Sequence, residues 1–312
     1  MKTRLLLAAL GLGLAGAASA QSVGVSIVNF DNNFQTLLRN GMAVHAEELG
    51  VDIQIEDAQN DMAKQLDQVN NFIANGVDAI VVTLVDSSAG PALTQAAEAA
   101  GVPLVYVNLE PANLADLPAN QAYVGSNEVE SGTLGATEAC RLLREAGAAE
   151  ATGVILIGDL AHQAAVQRTK DVHDVLATPD CSFITITDEQ VGGWSREGGS
   201  NLMTNWLSSG DTPDVVFANN DEMALGAIQA LSAAGVPKED VIVVGIDATA
   251  DGLQAMQAED LDVTVFQNAK AQGAGGLDTA LALAKGETVT SPVYVPFELV
   301  TPTNMADYIG TN

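Results

Sequence analysis

The chain has 312 residues, 47% of them hydrophobic, and a formal net charge of −28 at pH 7. The apolar content excludes a disordered polymer, and the length is enough for two ordinary domains with ample core. A surface this acidic repels nucleic acid and anionic lipid, so binders of either are excluded and the charge is read as serving solubility.

Residues 1–20 read as a secretory signal peptide. Lys2 and Arg4 form a basic start, Leu5 to Leu14 a short apolar run, and Ala18-Ser19-Ala20 a small-residue cleavage site. Cleavage after Ala20 would release an exported mature chain. Gly11-Leu12-Gly13-Leu14-Ala15-Gly16 matches a dinucleotide-binding glycine pattern. No strand precedes it and it lies inside the apolar run, so that reading fails its context test. No later stretch is long and apolar enough to span a bilayer.

Beyond Ala20, short β-branched runs alternate with segments of helical period. Strands are expected at 23–28, 51–57, 77–85, 102–108, 122–125, 153–158, 182–187, 214–218, 241–246 and 263–267. Residues 61–75 illustrate the helices: Met62, Leu66, Val69, Phe72 and Ile73 share a face, Asp61 is a candidate N-cap and Gly76 a stop. Continuous apolar strands separated by helices imply parallel sheets covered on both faces. So many units do not fit one sheet at this length, and two α/β lobes are expected, the first ending near Gly125. Residues 290–304 have extended character and three prolines, which suits a connection running across both lobes.

Several strands end in polar side chains. Asn29 follows the first, with Asp31, Asn32, Asn33 and Phe34 close behind. Asn108, Asp159 with His162, Asn219-Asn220-Asp221, Asp247 and Gln267 follow others. Each alone is as well explained by helix capping as by ligand binding, and Asp221 is read as a cap. Together, at strand carboxyl ends in a two-lobed protein, they describe a polar cleft. Cys140 and Cys181 can pair or stay free, and no Cys/His metal spacing exists.

The markers FDNNF (30–34), DAQNDMAKQLDQV (57–69), VNLEP (107–111), YVGSNEVESG (123–132), ANNDEMALGA (218–227), VVGIDAT (243–249) and TVFQN (264–268), in this order, carry a family likeness. The chain resembles the periplasmic sugar-binding proteins of ABC transporters, in particular the galactose/glucose and ribose binders. The resemblance implies a type I fold: two Rossmann-like parallel-sheet lobes joined by three hinge strands. The N-terminal lobe would comprise 21–125 plus 268–296, the C-terminal lobe 126–267 plus 297–312. It implies a sugar cage of Asn32, Phe34 and Asn108 from one lobe, with His162, Arg168, Trp194, Asn220, Asp247 and Gln267 from the other. Phe34 and Trp194 would be the aromatic platforms, and Arg168 would sit beside a carboxylate such as Asp247.

The chain departs from the galactose/glucose binders at Asn32 and Ala164, where they have Asp, and in 146–153, which lacks a calcium loop. A pentose, a modified hexose or a cyclic polyol such as inositol is equally allowed, and no metal is expected. The implied partners are an ABC permease and a chemoreceptor, with the chain itself a monomer. Three other readings compete. An enzyme of sugar metabolism lacks any recognisable nucleophile–base motif. A sugar-responsive repressor core lacks a helix-turn-helix. A periplasmic receptor for a furanosyl autoinducer is the alternative within the class, though paired aromatics suit a six-membered ring better.

Overall fold

The computed structural model describes residues 21–210 and 212–312; the signal-peptide segment lies outside the described residues. The first lobe runs β1 (Ser22–Ile27), α1 (Asn33–Leu49), β2 (Asp52–Asp57), α2 (Met62–Asn75), β3 (Ala79–Val82), α3 (Gly90–Ala100), β4 (Leu104–Val107) and β5 (Gln121–Gly125). The second runs α4 (Glu128–Glu145), β6 (Ala151–Ile157), α5 (Gln163–Leu176), β7 (Ile184–Val191), α6 (Arg196–Ser209), β8 (Val215–Ala218), α7 (Asp221–Ala234), β9 (Ile242–Val244), α8 (Ala250–Gln257) and β10 (Thr264–Phe266). The chain then returns through α9 (Ala269–Ala284), β11 (Val293–Tyr294) and β12 (Glu298–Val300).

The first sheet has the order β11-β5-β4-β3-β1-β2 and is parallel throughout. The second has the order β7-β6-β8-β9 and is likewise parallel. β10 pairs antiparallel with β12 and touches the second sheet through bridges Val244–Val263 and Asp247–Phe266. The architecture is therefore two doubly covered parallel α/β lobes, the type I periplasmic binding arrangement. β3 and β4 are buried at every residue because helices cover both faces. β2, at an edge, alternates instead: Ile53 and Ile55 face the core while Asp52 and Gln54 are turned away from it.

The α2 helix starts where Asp61 accepts from the N–H groups of Ala63 and Lys64, and stops at Gly76 with φ 73°. Val69 and Phe72 are fully buried, but Met62 is exposed, so the apolar face is one residue shorter than its spacing suggests. Phe72 packs directly on Gly24 of β1, where a Cβ would lie 2.3 Å from the ring.

The chain passes between the lobes after β5, between β10 and α9, and between β11 and β12. The tail does this by adding β11 to the first sheet and pairing β12 with β10 in the second lobe.

Cys140 near the end of α4 and Cys181 after α5 form a disulfide with a Cα–Cα distance of 5.7 Å and a separation of 41 residues. Closing a loop of that length removes denatured-state entropy worth up to about 4 kcal/mol. The double variant Cys140→Ser, Cys181→Ser is expected to lose stability of that order in urea unfolding. An unchanged midpoint would mean that the thiols are unpaired in solution.

Candidate ligand-binding cleft

A cavity of about 480 Å³ lies between the lobes, at the carboxyl ends of both sheets. All nine residues singled out from the sequence line it: Asn32, Phe34, Asn108, His162, Arg168, Trp194, Asn220, Asp247 and Gln267. Gln35, Arg196 and Glu222 line it too.

On the first-lobe wall, Asn32 caps α1, its side-chain oxygen accepting from the Gln35 N–H at 3.1 Å. Phe34, 6% exposed, joins the lobe core and presents one part to the cavity, so core and cleft roles coincide. Asn108 follows β4 with φ 65°. Its amide oxygen accepts from Gln35 Nε2 at 2.8 Å, and its nitrogen donates to Gln272 Oε1 at 3.1 Å. Gln272 in turn donates to Ser126 Oγ at 2.9 Å, where the chain leaves the first lobe. This amide chain fixes what Asn108 keeps for a ligand: one N–H of its nitrogen and one lone pair of its oxygen.

In the second lobe, Arg168 is buried and salt-bridged to Glu128 at the start of α4, Nε to Oε2 at 2.8 Å. It also donates to the Asn219 carbonyl at 2.7 Å and to Gln267 Oε1 at 3.3 Å. Burial works against its charge, and the Glu128 carboxylate more than offsets this, so its pKa is raised. The partner expected from sequence was Asp247. The structure gives Arg168 to Glu128 instead and leaves the Asp247 carboxylate without a protein hydrogen bond among the described residues. Burial raises the Asp247 pKa well above the usual carboxylate range; the Arg168 charge lowers it, but Asp221, Glu128 and Glu222 oppose that relief.

Trp194 has φ 62° and packs its ring on Gly158, where a Cβ would lie 2.2 Å away. Its indole N–H donates to His162 Nδ1 at 2.9 Å, and His162 Nε2 meets the Val85 carbonyl of the first lobe at 3.1 Å. Only the neutral Nε2–H tautomer satisfies both bonds, and burial lowers the His162 pKa accordingly. The sign follows: the arrangement is fully held above the free imidazole range and weakens as pH falls through it.

The segment VVFANND resolves into three roles. Asn219 Oδ1 accepts from the Gly158 N–H at 3.1 Å and steadies the loop under Trp194. Asn220, not Asp221, caps α7, its side-chain oxygen accepting from Met223 N at 3.0 Å while its nitrogen donates to the Trp194 carbonyl. Asp221 is fully buried and accepts from Thr249 N, Thr249 Oγ1 and Thr264 Oγ1, tying α7 to α8 and β10. Burial pushes its pKa up to about 6 despite these bonds.

The lobes meet on both rims. Ser87 N donates to the Ala161 carbonyl at 2.9 Å and Gln163 N to Ser87 Oγ at 3.1 Å; on the other side, Asn33 Nδ2 donates to Glu222 Oε1 at 3.1 Å. Glu222 is also held by Arg196, which pairs with Asp251 as well. Arg196 reads as a surface charge in the sequence, but it is a rim residue of the cleft. Among the described residues, no group of three or more His, Cys, Asp or Glu side chains is placed to hold a metal ion.

The sequence profile described as a periplasmic binding protein domain matches residues 23–288. The chain belongs to the periplasmic binding protein family. A member from Rhizobium meliloti, provisionally named as a rhizopine-binding protein, is 56% identical over 297 residues, covering 95% of each chain. A xylitol-binding protein of Mycolicibacterium smegmatis is 36% identical, covering 92% of this chain and 81% of the relative. The crystal structure of an ABC transporter solute-binding protein from Bacillus halodurans with bound myo-inositol superimposes with a TM-score of 0.87 at 38% identity, covering 95% of this chain and all of that one. These family members are solute-binding proteins, not enzymes, which sets aside the enzyme reading.

Proposed function

We propose that this periplasmic binding protein is the solute-binding component of an ABC transporter and captures a neutral polyol or monosaccharide, a cyclic polyol such as inositol first among them. The carrying observation is the unpartnered Asp247 carboxylate, buried in a cleft that the amides of Asn32, Asn108, Asn220 and Gln267 also line. A hydroxyl both donates and accepts. Asp247 only accepts, while Asn32, Asn108, Asn220 and Gln267 offer N–H groups, so a ring of hydroxyls can satisfy both kinds. Phe34 and Trp194 come from different lobes and would cover its C–H faces, with His162 and Arg168 completing the cage. The xylitol and myo-inositol ligands of the two relatives support a polyol, and Asn32 and Ala164 stand where the resembling hexose binders have acceptor-only carboxylates.

In this reading residues 21–125 with 268–296, and 126–267 with 297–312, are lobes that close on a hinge over the ligand, as periplasmic binding proteins do. The closed surface is what a membrane permease recognises, and a chemoreceptor could read the same surface. Export to the periplasm after cleavage at Ala20 accords with the location of the family. The provisional name of the 56% identical relative makes rhizopine the second ligand to test.

The test is a thermal-shift panel on mature protein stripped of ligand by unfolding and refolding. It covers myo-inositol, xylitol, ribose, galactose, glucose and rhizopine. A ligand at one hundred times its Kd adds about 2.7 kcal/mol, which raises the melting temperature by about 5–10 °C at this size. A selective shift with one polyol is the expected result. No shift with any member of the panel would overturn the reading.

A further inference from the structure

Asp247 and Gln267 occupy neighbouring strand ends where ordinary sheet pairing runs out. Asp247 N still donates to the Val265 carbonyl at 2.8 Å, but the next rung, Gln267 N to the Asp247 carbonyl, is long at 3.4 Å. Asp247 has φ 122°, outside the range that L side chains readily adopt. A conformation of this kind persists only when its surroundings hold it.

The holding group comes from the far end of the chain. The side-chain nitrogen of Asn312 donates to the Asp247 carbonyl at 3.0 Å and to the Gln267 carbonyl at 2.8 Å. Its oxygen accepts from the Ala269 N–H at 2.9 Å, one of the free donors of the first turn of α9. One amide thus uses both donors and its acceptor on three backbone groups. Two belong to cage residues of the second lobe. The third lies just past Gln267-Asn268, where the chain crosses into the first lobe.

We infer that Asn312 is a positioning residue for the ligand cage: it reinforces the long sheet rung and holds the Asp247 and Gln267 side chains in the cleft. The inference rests on the assignment of the cleft as the ligand site. Asn312 touches only backbone and takes no part in the ligand contacts themselves. Its effect is on affinity, through the aim of two side chains, more than on folding, because no core side chain depends on it.

The experiment compares calorimetric titrations of myo-inositol and xylitol, with ligand-free melting temperatures, for wild type, Asn312→Ala, Asn312→Asp and Asn304→Ala. Asn304 is the control. It stitches the same tail, donating to the Leu299 carbonyl and accepting from Thr301 N, but touches no cage residue. Losing two hydrogen bonds that hold the cage is expected to weaken binding about tenfold. Asn312→Asp keeps the acceptor for Ala269 and loses both donors, so it should weaken binding at least as much as Asn312→Ala. Asn304→Ala should match wild type in affinity. Wild-type affinity in Asn312→Asp, or an equal loss in Asn304→Ala, overturns the inference. If wild type binds neither these polyols nor any sugar or rhizopine of the thermal-shift panel, the ligand-site reading fails first and the inference falls with it; if wild type binds and the Asn312 variants match it, the inference alone fails.

Discussion

Asp247→Asn is expected to weaken polyol binding about 100-fold while leaving the ligand-free protein as stable as wild type or more so. Hydrogen bonds to a charged acceptor contribute about 1.5–3 kcal/mol each, and a carboxylate free of protein partners has both oxygens to offer. Asparagine keeps one uncharged acceptor and turns the other into a donor facing a ligand hydroxyl. Folding moves the other way, because the buried carboxylate costs free energy that an amide does not. The pH dependence carries the same signature. The folded-state pKa of Asp247 is raised, so its contribution to ligand-free stability is present below the ordinary carboxylate pKa and is lost as pH rises through the folded value. Ligand hydroxyls donate to the charged form, so affinity should rise with pH more steeply in wild type than in Asp247→Asn, which keeps only the His162 dependence. Titration calorimetry at several pH values, paired with thermal melts, reads both effects. Equal affinity in the two proteins would place the ligand elsewhere, and a large fall in ligand-free stability would mean that the carboxylate has a partner.

The fold was legible because burial on both faces forces a pattern that few other arrangements produce. A strand such as β3 must be apolar at every position, and the polar residue just after it must point where no helix covers the sheet. That is why Asn108, Asn220, Asp247 and Gln267 can be picked out one strand at a time, and the structure gathers them around one cavity. Pairings across the fold carry no such mark. Glu128 lies 40 residues before Arg168 and reads as an ordinary first-turn acid of a helix. Arg196 and Glu222, 26 residues apart, read as solvated charges, yet their pairing builds a rim. Adjacent residues can also exchange roles. Asn220 and Asp221 are both good caps by type, and only the depth of the Thr249 and Thr264 hydroxyls decides that Asp221 turns inward. Gln35 did leave a trace, a polar residue on the buried face of α1 with Leu38 and Met42. Sequence alone does not say whether such a residue serves core or cleft.

Glu128→Ala is expected to destabilise the protein by about 3–5 kcal/mol, the usual penalty for leaving one member of a buried ion pair alone. Arg168 and Glu128 are both nearly inaccessible, at 4% and 2% side-chain exposure, so solvent cannot screen the orphaned guanidinium. Its remaining hydrogen-bond partners, the Asn219 carbonyl and Gln267 Oε1, are neutral, and the rings of Trp194 and Phe297 at 5.5 and 5.8 Å add only weak attraction. Binding should fail as well, because an unpaired Arg168 would turn toward Asp247 and consume the acceptor meant for the ligand. The double variant Glu128→Leu, Arg168→Met separates charge from packing. Replacing the whole pair by apolar groups of similar size is often neutral for folding, so urea unfolding should return close to wild type while polyol affinity stays lost. If the single variant is as stable as wild type, the pair is not desolvated in solution. If the double variant recovers binding, Arg168 serves only to fill space, and the cage must be built without it.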